Sequence, residues 1–283
     1  MLGMEREKVE LTTVQGTMLA TLYARALDSR ARHSILGDHT ADEVVRRVDH
    51  DWSKTGTQAP WDAATLALRG RELDRWTGEF LIAHPGEVTV LHLACGLDTR
   101  VHRLDPPPSV RWVDVDFPDV IELRRRLLPE PGGNYRMLGA SVTEEGWLEE
   151  VPGDRPVVVV AEGLTMYLHE EEGRQLIQRI CGHFPGGELL FDCFSERLVR
   201  LAKKLSWMAM GIAPRAVLES WHWGIDDPRE LEGWQDGLAF VDDLYVVDVP
   251  DLGRLPAAAR IGLRLGAHLP GGRDSGRLLR YRF

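Results

Sequence analysis

Hydrophobic positions change their spacing along this chain, and the changes mark its organisation. From about residue 8 to residue 83 the spacing is helical: Leu19, Leu22, Tyr23 and Ala26 recur at three- and four-residue intervals, and a further helix is predicted from Pro60 through Leu66, Leu73, Trp76 and Phe80. After Pro85-Gly86 the pattern turns into short β-rich runs. Residues 88–93 (VTVLHL), 110–115 (VRWVDV), 157–161 (VVVVA) and 188–194 (ELLFDCF) each read as a strand, with a thinner signal in 135–139. Helix-length segments at 120–128, 144–150 and 170–184 separate the runs. Strands alternating with helices predict βαβ units and a parallel sheet, and a run such as VVVV suits a strand covered on both faces. Beyond Ser195 the sequence predicts a helix rich in Leu, Lys and Arg, followed by a loop-like region carrying Trp207, Trp221, Trp223 and Trp234. Two late runs, 244–249 and 277–283, lack a periodic helix between them, which predicts an antiparallel pair at one sheet edge.

Composition narrows the function classes. The 283 residues carry 34 Lys and Arg against 44 Asp and Glu, a net charge of −10, with a pI near 5.5. That balance argues against a nucleic-acid partner or an anionic membrane surface. Three cysteines, Cys95, Cys181 and Cys193, contain no CxxC pair, which excludes a disulfide framework and a zinc knuckle; no His, Asp or Glu spacing predicts a metal site. The N-terminal residues mix Glu, Arg and Lys without an apolar signal segment, and the most apolar later run, 157–161, is far below the ~18 residues of a spanning helix. A cytoplasmic globular protein is expected.

The chemistry gathers at the strand ends. The first β run leads into Leu93-Ala94-Cys95-Gly96, a small-residue turn that lets a ligand approach the backbone at the carboxyl edge of a doubly wound sheet. Asp116 ends the second run, 20 residues after Gly96, where a carboxylate can accept both hydroxyl protons of an adenosine ribose. A single glycine instead of GxGxxG provides no pyrophosphate cradle, and the fourth run ends in Glu162-Gly163, a second carboxylate that would repel phosphates. A ligand with a ribose, an ammonium and a sulfonium fits better, and S-adenosylmethionine has all three. Its carboxylate needs a cation, for which the helical region offers Arg25, Arg30, Arg69 and Arg71.

The stretches LHLACGLDTRVHRL, WVDVDFPDVIELRR and VVVVAEGLTMYL, in this order, resemble the leucine carboxyl methyltransferase superfamily, within it the bacterial polyketide-associated (tetracenomycin-type) O-methyltransferase branch, over about residues 22–194. The resemblance implies an α/β fold: a class I methyltransferase Rossmann-like sheet of seven strands, the last antiparallel, with a helical N-terminal cap. It implies a single domain, with the cap over 1–85, a cofactor-binding core over 86–195 and a lid or acceptor-site region with closing strands over 196–283. It also implies S-adenosyl-L-methionine as cofactor and S-adenosyl-L-homocysteine as product. By motif position Gly96 lies beneath the methionyl part, Asp116 with Phe117 meets the ribose edge, Glu162 with Gly163 contacts the cofactor, and Arg69, with Arg25 as a second basic contact, pairs with the methionyl carboxylate. Two departures stand out. Ala94 replaces the first glycine of the family's LGAG turn, which costs roughly 1 kcal/mol if that position takes a positive φ. Ser141-Val142 stands where the family has Asp-Leu against the adenine, so the contact there carries no charge.

Other residues are weighed against simpler roles. Cys95 has no neighbouring base and reads as a small packing residue, Asp98 and Arg100 as a pair locking the turn, and Glu170 to Glu172 as acidic residues at a helix start. Tyr167 is a candidate for the methyl-transfer site, and Trp221 and Trp223 for an aromatic acceptor wall. A carboxylate acceptor is ionised at neutral pH and needs no general base; a phenol, with a pKa near 10, would use one. His222 is the candidate base, with His33, His169 and His268 as alternatives. The expected function is O-methylation of a carboxylate or phenolic hydroxyl on a small natural product. The alternatives are carboxyl methylation of a peptide or protein C-terminus and a cofactor-binding module without turnover.

Overall fold

The structure, a computed structural model, describes residues 7–8, 16–55, 60–205, 215–255, 257–268, 273 and 276–283. In chain order its main elements are α1 (Gly16–Ser29), α2 (His39–Arg47), α3 (Pro60–Ala83), β1 (Val88–Leu93), α4 (Arg100–Leu104), β2 (Val110–Asp116), α5 (Pro118–Leu127), β3 (Asn134–Gly139), β4 (Val157–Ala161), α6 (Glu170–His183), β5 (Gly187–Cys193), α7 (Glu196–Leu205), α8 (Arg215–Glu219), β6 (Ala239–Tyr245), α9 (Ala257–Ala267) and β7 (Arg277–Arg282). The strands form one seven-stranded sheet in the order β3-β2-β1-β4-β5-β7-β6. β1 to β5 pair in parallel, and β7 runs antiparallel to both β5 and β6. This is the class I methyltransferase sheet with its last strand antiparallel. No described helix is long and apolar enough to cross a membrane.

Alternation along the strands sorts side chains between two cores. Leu91, Leu93, Val113, Val115, Val157, Val159, Leu189 and Phe191 face α6 and the segment around Trp223. Val88, Val90, Trp112, Val158, Val160 and Leu190 face the other way, onto Leu68, Leu73, Trp76 and Phe80 of α3. α3 therefore covers the sheet itself, while α1 and α2 pack on α5 through Leu19, Leu22, Val44, Val45, Leu123 and Leu127. Trp223 lies so close to α6 that a Cβ built on Gly173 would sit 2.4 Å from its ring, which explains the glycine in that helix.

Four expectations change at the edges, the first being that α9, Ala257–Ala267, lies between β6 and β7 where no periodic helix was expected. Lys8 belongs to a two-residue strand, Glu7–Lys8, paired in parallel with Val48–Asp49, not to a helix. Only Trp147–Glu150 of 144–150 is helical, as a 3-10 turn entered through Gly146 at φ +86°. The penultimate strand lies at Ala239–Tyr245, ahead of the expected 244–249, and Val246–Asp248 is a 3-10 turn. β6 is the outermost strand and half exposed, so it tolerates Asp242 and Asp243, and the more apolar residues after it turn inward. Trp207 lies outside the described residues.

Candidate active site

A cavity of about 450 Å³ opens at the carboxyl ends of β1, β2 and β4. α1 contributes Thr17, Met18, Thr21 and Arg25, and α3 contributes Leu66 and Arg69; the strand-end loops contribute Ala94 to Asp98, Asp116 and Phe117, Ala140 to Thr143, and Glu162 to Gly163; Tyr167, Phe194 and Trp221 give part of the remaining wall an aromatic character. The cavity thus gathers Arg25, Arg69, Ala94, Gly96, Asp116, Phe117, Ser141, Val142, Glu162, Gly163 and Tyr167. It does not include His222, whose exposed ring stacks on His169 at 4.2 Å and whose backbone N–H donates to Met166 O at 2.7 Å. Trp221 lines the cavity while its neighbour His222 is exposed. His33 and His268 are also exposed.

The turn after β1 is left-handed at two positions, Ala94 at φ +49° and Gly96 at φ +48°. A side chain on Gly96 would also press on Met18, whose Cγ lies 3.1 Å from the position of a Cβ. This geometry aims the Gly96 N–H at Asp116 Oδ2, 2.7 Å away, while Asp116 Oδ1 accepts from the Phe117 N–H at 2.8 Å. Each oxygen keeps a lone pair for a ligand. Burial pushes the Asp116 carboxyl above its ordinary pKa, against the pull of the two N–H groups. Ala94 is the strained substitution the departure from LGAG implied. Ala94→Gly is expected to raise the unfolding free energy by about 0.5 kcal/mol, the left-handed strain relieved less the entropy of a new glycine; a denaturant midpoint that falls contradicts it. In the loop after β3, Ser141 Oγ lies 2.8 Å from Thr143 Oγ1, and the Val142 carbonyl accepts from Trp147 Nε1 and an Arg179 Nη.

Beneath the cavity lies a buried ionic cluster. Glu162 is not a lone carboxylate: Arg25 and Arg69 meet it at 3.0 Å and Arg100 at 2.6 Å. Arg25 also reaches Asp98 at 3.0 Å, and Arg69 reaches Asp192 at 2.8 Å. Arg100, fully buried, further pairs with Asp74 at 2.6 Å, and Arg103 spans Asp38, Asp74 and Asp98. The Arg100 backbone N–H donates to Asp98 Oδ1 at 2.9 Å, the expected lock on the turn. Arg100 Nη1 lies 3.3 Å from His92 Nε2; a guanidinium only donates, so Nε2 accepts and Nδ1–H donates to Asp114, which Arg124 also grips. Despite the burial penalty, the surrounding guanidiniums hold Asp98 and Glu162 well below the usual carboxylate range; Arg124 and the hydrogen bonds from His92 and Tyr135 do the same for Asp114.

Sequence reading missed Asp192. Its Oδ1 accepts from the Gly163 N–H at 2.5 Å, its Oδ2 from Arg69, and its carbonyl from Thr165 Oγ1 at 2.6 Å, so one residue joins α3 to the loop after β4. The signal was present: an Asp inside the otherwise apolar run ELLFDC is costly unless partnered. Cys95 is buried and burial raises its thiol pKa well above the ordinary value, as a packing residue requires.

The leucine carboxyl methyltransferase family profile matches residues 18–181. The tetracenomycin polyketide synthesis O-methyltransferase TcmP of Streptomyces glaucescens is 47% identical over 278 residues, 98% of this chain and 99% of the relative. The S-adenosyl-L-methionine-dependent methyltransferase dpfgK of Gibberella zeae is 35% identical over 263 residues, covering 86% of each. Among solved structures, a protein of Thermobifida fusca regarded as a methyltransferase shares the fold at a TM-score of 0.53 and 17% identity, over 92% of this chain and 93% of its own. The plantazolicin methyltransferase BamL, solved in complex with a triazolic desmethylPZN analog and SAH, does so at 0.51 and 11%, over 95% and 98%.

Proposed function

The chain belongs to the leucine carboxyl methyltransferase family and is an S-adenosylmethionine-dependent methyltransferase, and from that premise we propose that it O-methylates a carboxylate or phenolic hydroxyl of a small, polyketide-like natural product in the cytoplasm. The observation that carries this reading is the convergence on one cavity of the Asp116 and Glu162 strand tips with the Arg25 and Arg69 guanidiniums.

S-adenosylmethionine supplies an electrophilic methyl group on a sulfonium, so the protein's work is positioning and charge. The residues present fit such a ligand. Asp116 offers its two oxygens to ribose hydroxyls, and the left-handed Gly96 keeps the backbone open beside it. Every ion pair of Arg25 among the described residues runs through Nη2, which leaves its other N–H groups for an amino-acid carboxylate. Glu162, ionised by its three arginines, faces the same space and offsets a ligand's positive charge. Ser141 and Val142 line the adenine side.

The acceptor is taken to lie against Tyr167, Phe194 and Trp221, with Phe194 and Trp221 rings 4.6 Å apart. Burial pushes the Tyr167 phenol above its ordinary pKa, so it stays protonated and donates. His92, within the lining, is committed to Asp114 and Arg100 and does not serve as a base. An aromatic wall favours a small aromatic acceptor over a peptide C-terminus. The test supplies methyl-labelled S-adenosylmethionine with a panel of polycyclic aromatic carboxylic acids, phenols and peptides ending in free carboxylates. Label in a base-labile ester or a base-stable aryl ether of an aromatic acceptor supports the proposal and tells the two acceptor oxygens apart. Label only in peptides, or S-adenosylhomocysteine failing to bind at millimolar concentration, overturns it.

A further inference from the structure

We propose that Glu172 of α6 is a cofactor-binding residue whose carboxylate receives the exocyclic amino group of the adenine and so selects that base. This rests on the methyltransferase reading above and adds a charged partner for the base.

The order of the strands lays the groups out along the cavity floor: the loop after β3, then Asp116 after β2, Gly96 after β1 and Glu162 after β4. A ribose held by Asp116 therefore has two unlike sides. Toward β4 lie Glu162, Arg25 and Arg69, the charged groups that an amino-acid end requires. Toward β3 the lining is uncharged, with Phe117 and Val142 offering apolar surface to a flat ring. The base belongs on that second side.

Glu172 stands on the same side. It lies two helical turns before Arg179, so both residues share one face of α6. Arg179 donates from that face to the Val142 carbonyl at 2.8 Å and to the Glu144 carbonyl. Glu172 lines the cavity together with Ser141, Val142 and Thr143. Its Oε2 accepts from the His169 backbone N–H at 2.7 Å, while Oε1 has no partner among the described residues. Ser141 Oγ, the other side-chain acceptor nearby, is engaged by the Thr143 hydroxyl at 2.8 Å and the Thr143 N–H at 3.4 Å. The amino group of adenine donates at the edge of the ring. A carboxylate oxygen facing it makes a charge-assisted hydrogen bond, roughly twice as strong as one between neutral groups.

Calorimetry with S-adenosylhomocysteine and its 6-deamino purine analogue, which lacks only the amino group, tests the proposal. Wild-type protein is expected to prefer S-adenosylhomocysteine about tenfold. Glu172→Gln keeps an oxygen for the His169 N–H and leaves an amide N–H₂ for the base edge. It is expected to bind S-adenosylhomocysteine about tenfold less tightly and the analogue within twofold of wild type. Glu171→Gln, one residue away and exposed, is expected to keep the wild-type preference. Thermal unfolding of each variant reports whether it is folded. Equal losses of both ligands in Glu172→Gln would show a role in the helix cap alone and overturn the proposal, as would an unchanged preference. Wild-type protein that binds the two ligands within twofold of each other would overturn it without any variant. Failure of wild-type protein to bind either ligand would strike the methyltransferase reading itself, and the proposal with it.

Discussion

Replacing Arg100 with methionine is expected to lower the unfolding free energy by about 3 kcal/mol, the low end of what breaking a buried ion pair costs. The side chain is fully buried and reaches Asp74, Glu162 and His92 together. Its loss leaves charge in a medium that solvates it poorly, but Glu162 keeps Arg25 and Arg69, and Asp74 keeps Arg103. Arg100→Lys retains the charge and forfeits the planar fork, so it should fall between the two. The pH dependence supplies a second reading. Asp98, Asp114 and Glu162 are held below their ordinary pKa in the folded chain, so the unfolded chain binds more protons as the pH falls below about 4. Their stabilisation is present above that range and is lost through it. Asp116 and Asp192, shifted upward by burial, offset part of the loss. The gap between wild type and Arg100→Met should therefore narrow from pH 7 to pH 3 in denaturant titrations. A gap that stays constant would show that the cost is packing alone.

Asp116→Ala is expected to weaken S-adenosylhomocysteine binding by about 30- to 100-fold, the loss of charge-assisted hydrogen bonds to a ribose. The same change should cost little in stability, because the folded state raises the pKa of this carboxyl and so gains nothing from its charge. Calorimetry and thermal unfolding on one preparation separate the two effects. Affinity within twofold of wild type would remove Asp116 from the cofactor site. A large fall in melting temperature would recast it as a brace for the Gly96 turn, whose N–H it accepts.

The sheet was readable because its strands are short, apolar and divided by helices. The turn residues were readable because GLDTR, DVDFP and EGLTMYL are local patterns. What sequence could not show is pairing across long separations. Glu162 looked like a free ligand group because Arg25 and Arg69 lie 137 and 93 residues away, and Asp192, which pairs with Arg69 across 123 residues, drew no notice. A better signal lay in the strands: His92, Asp114 and Asp192 are polar residues inside apolar runs, each demanding a buried partner. His222 illustrates the opposite limit. Its aromatic neighbours located the segment near the cavity, but the direction of one side chain in an irregular segment is not readable from residue type, and here the ring is exposed.

Arg277–Arg282 separates two strands that both leave the ribosome before it does. Until that segment emerges, the far edge of β5 has no neighbour and β6 has nothing to pair with, although both carry main-chain groups ready to bond. With only the five parallel strands in place the sheet is not closed, and β7 must pair on both sides to bring β6 into it. An edge left open in this way is where partly folded chains would pair with one another.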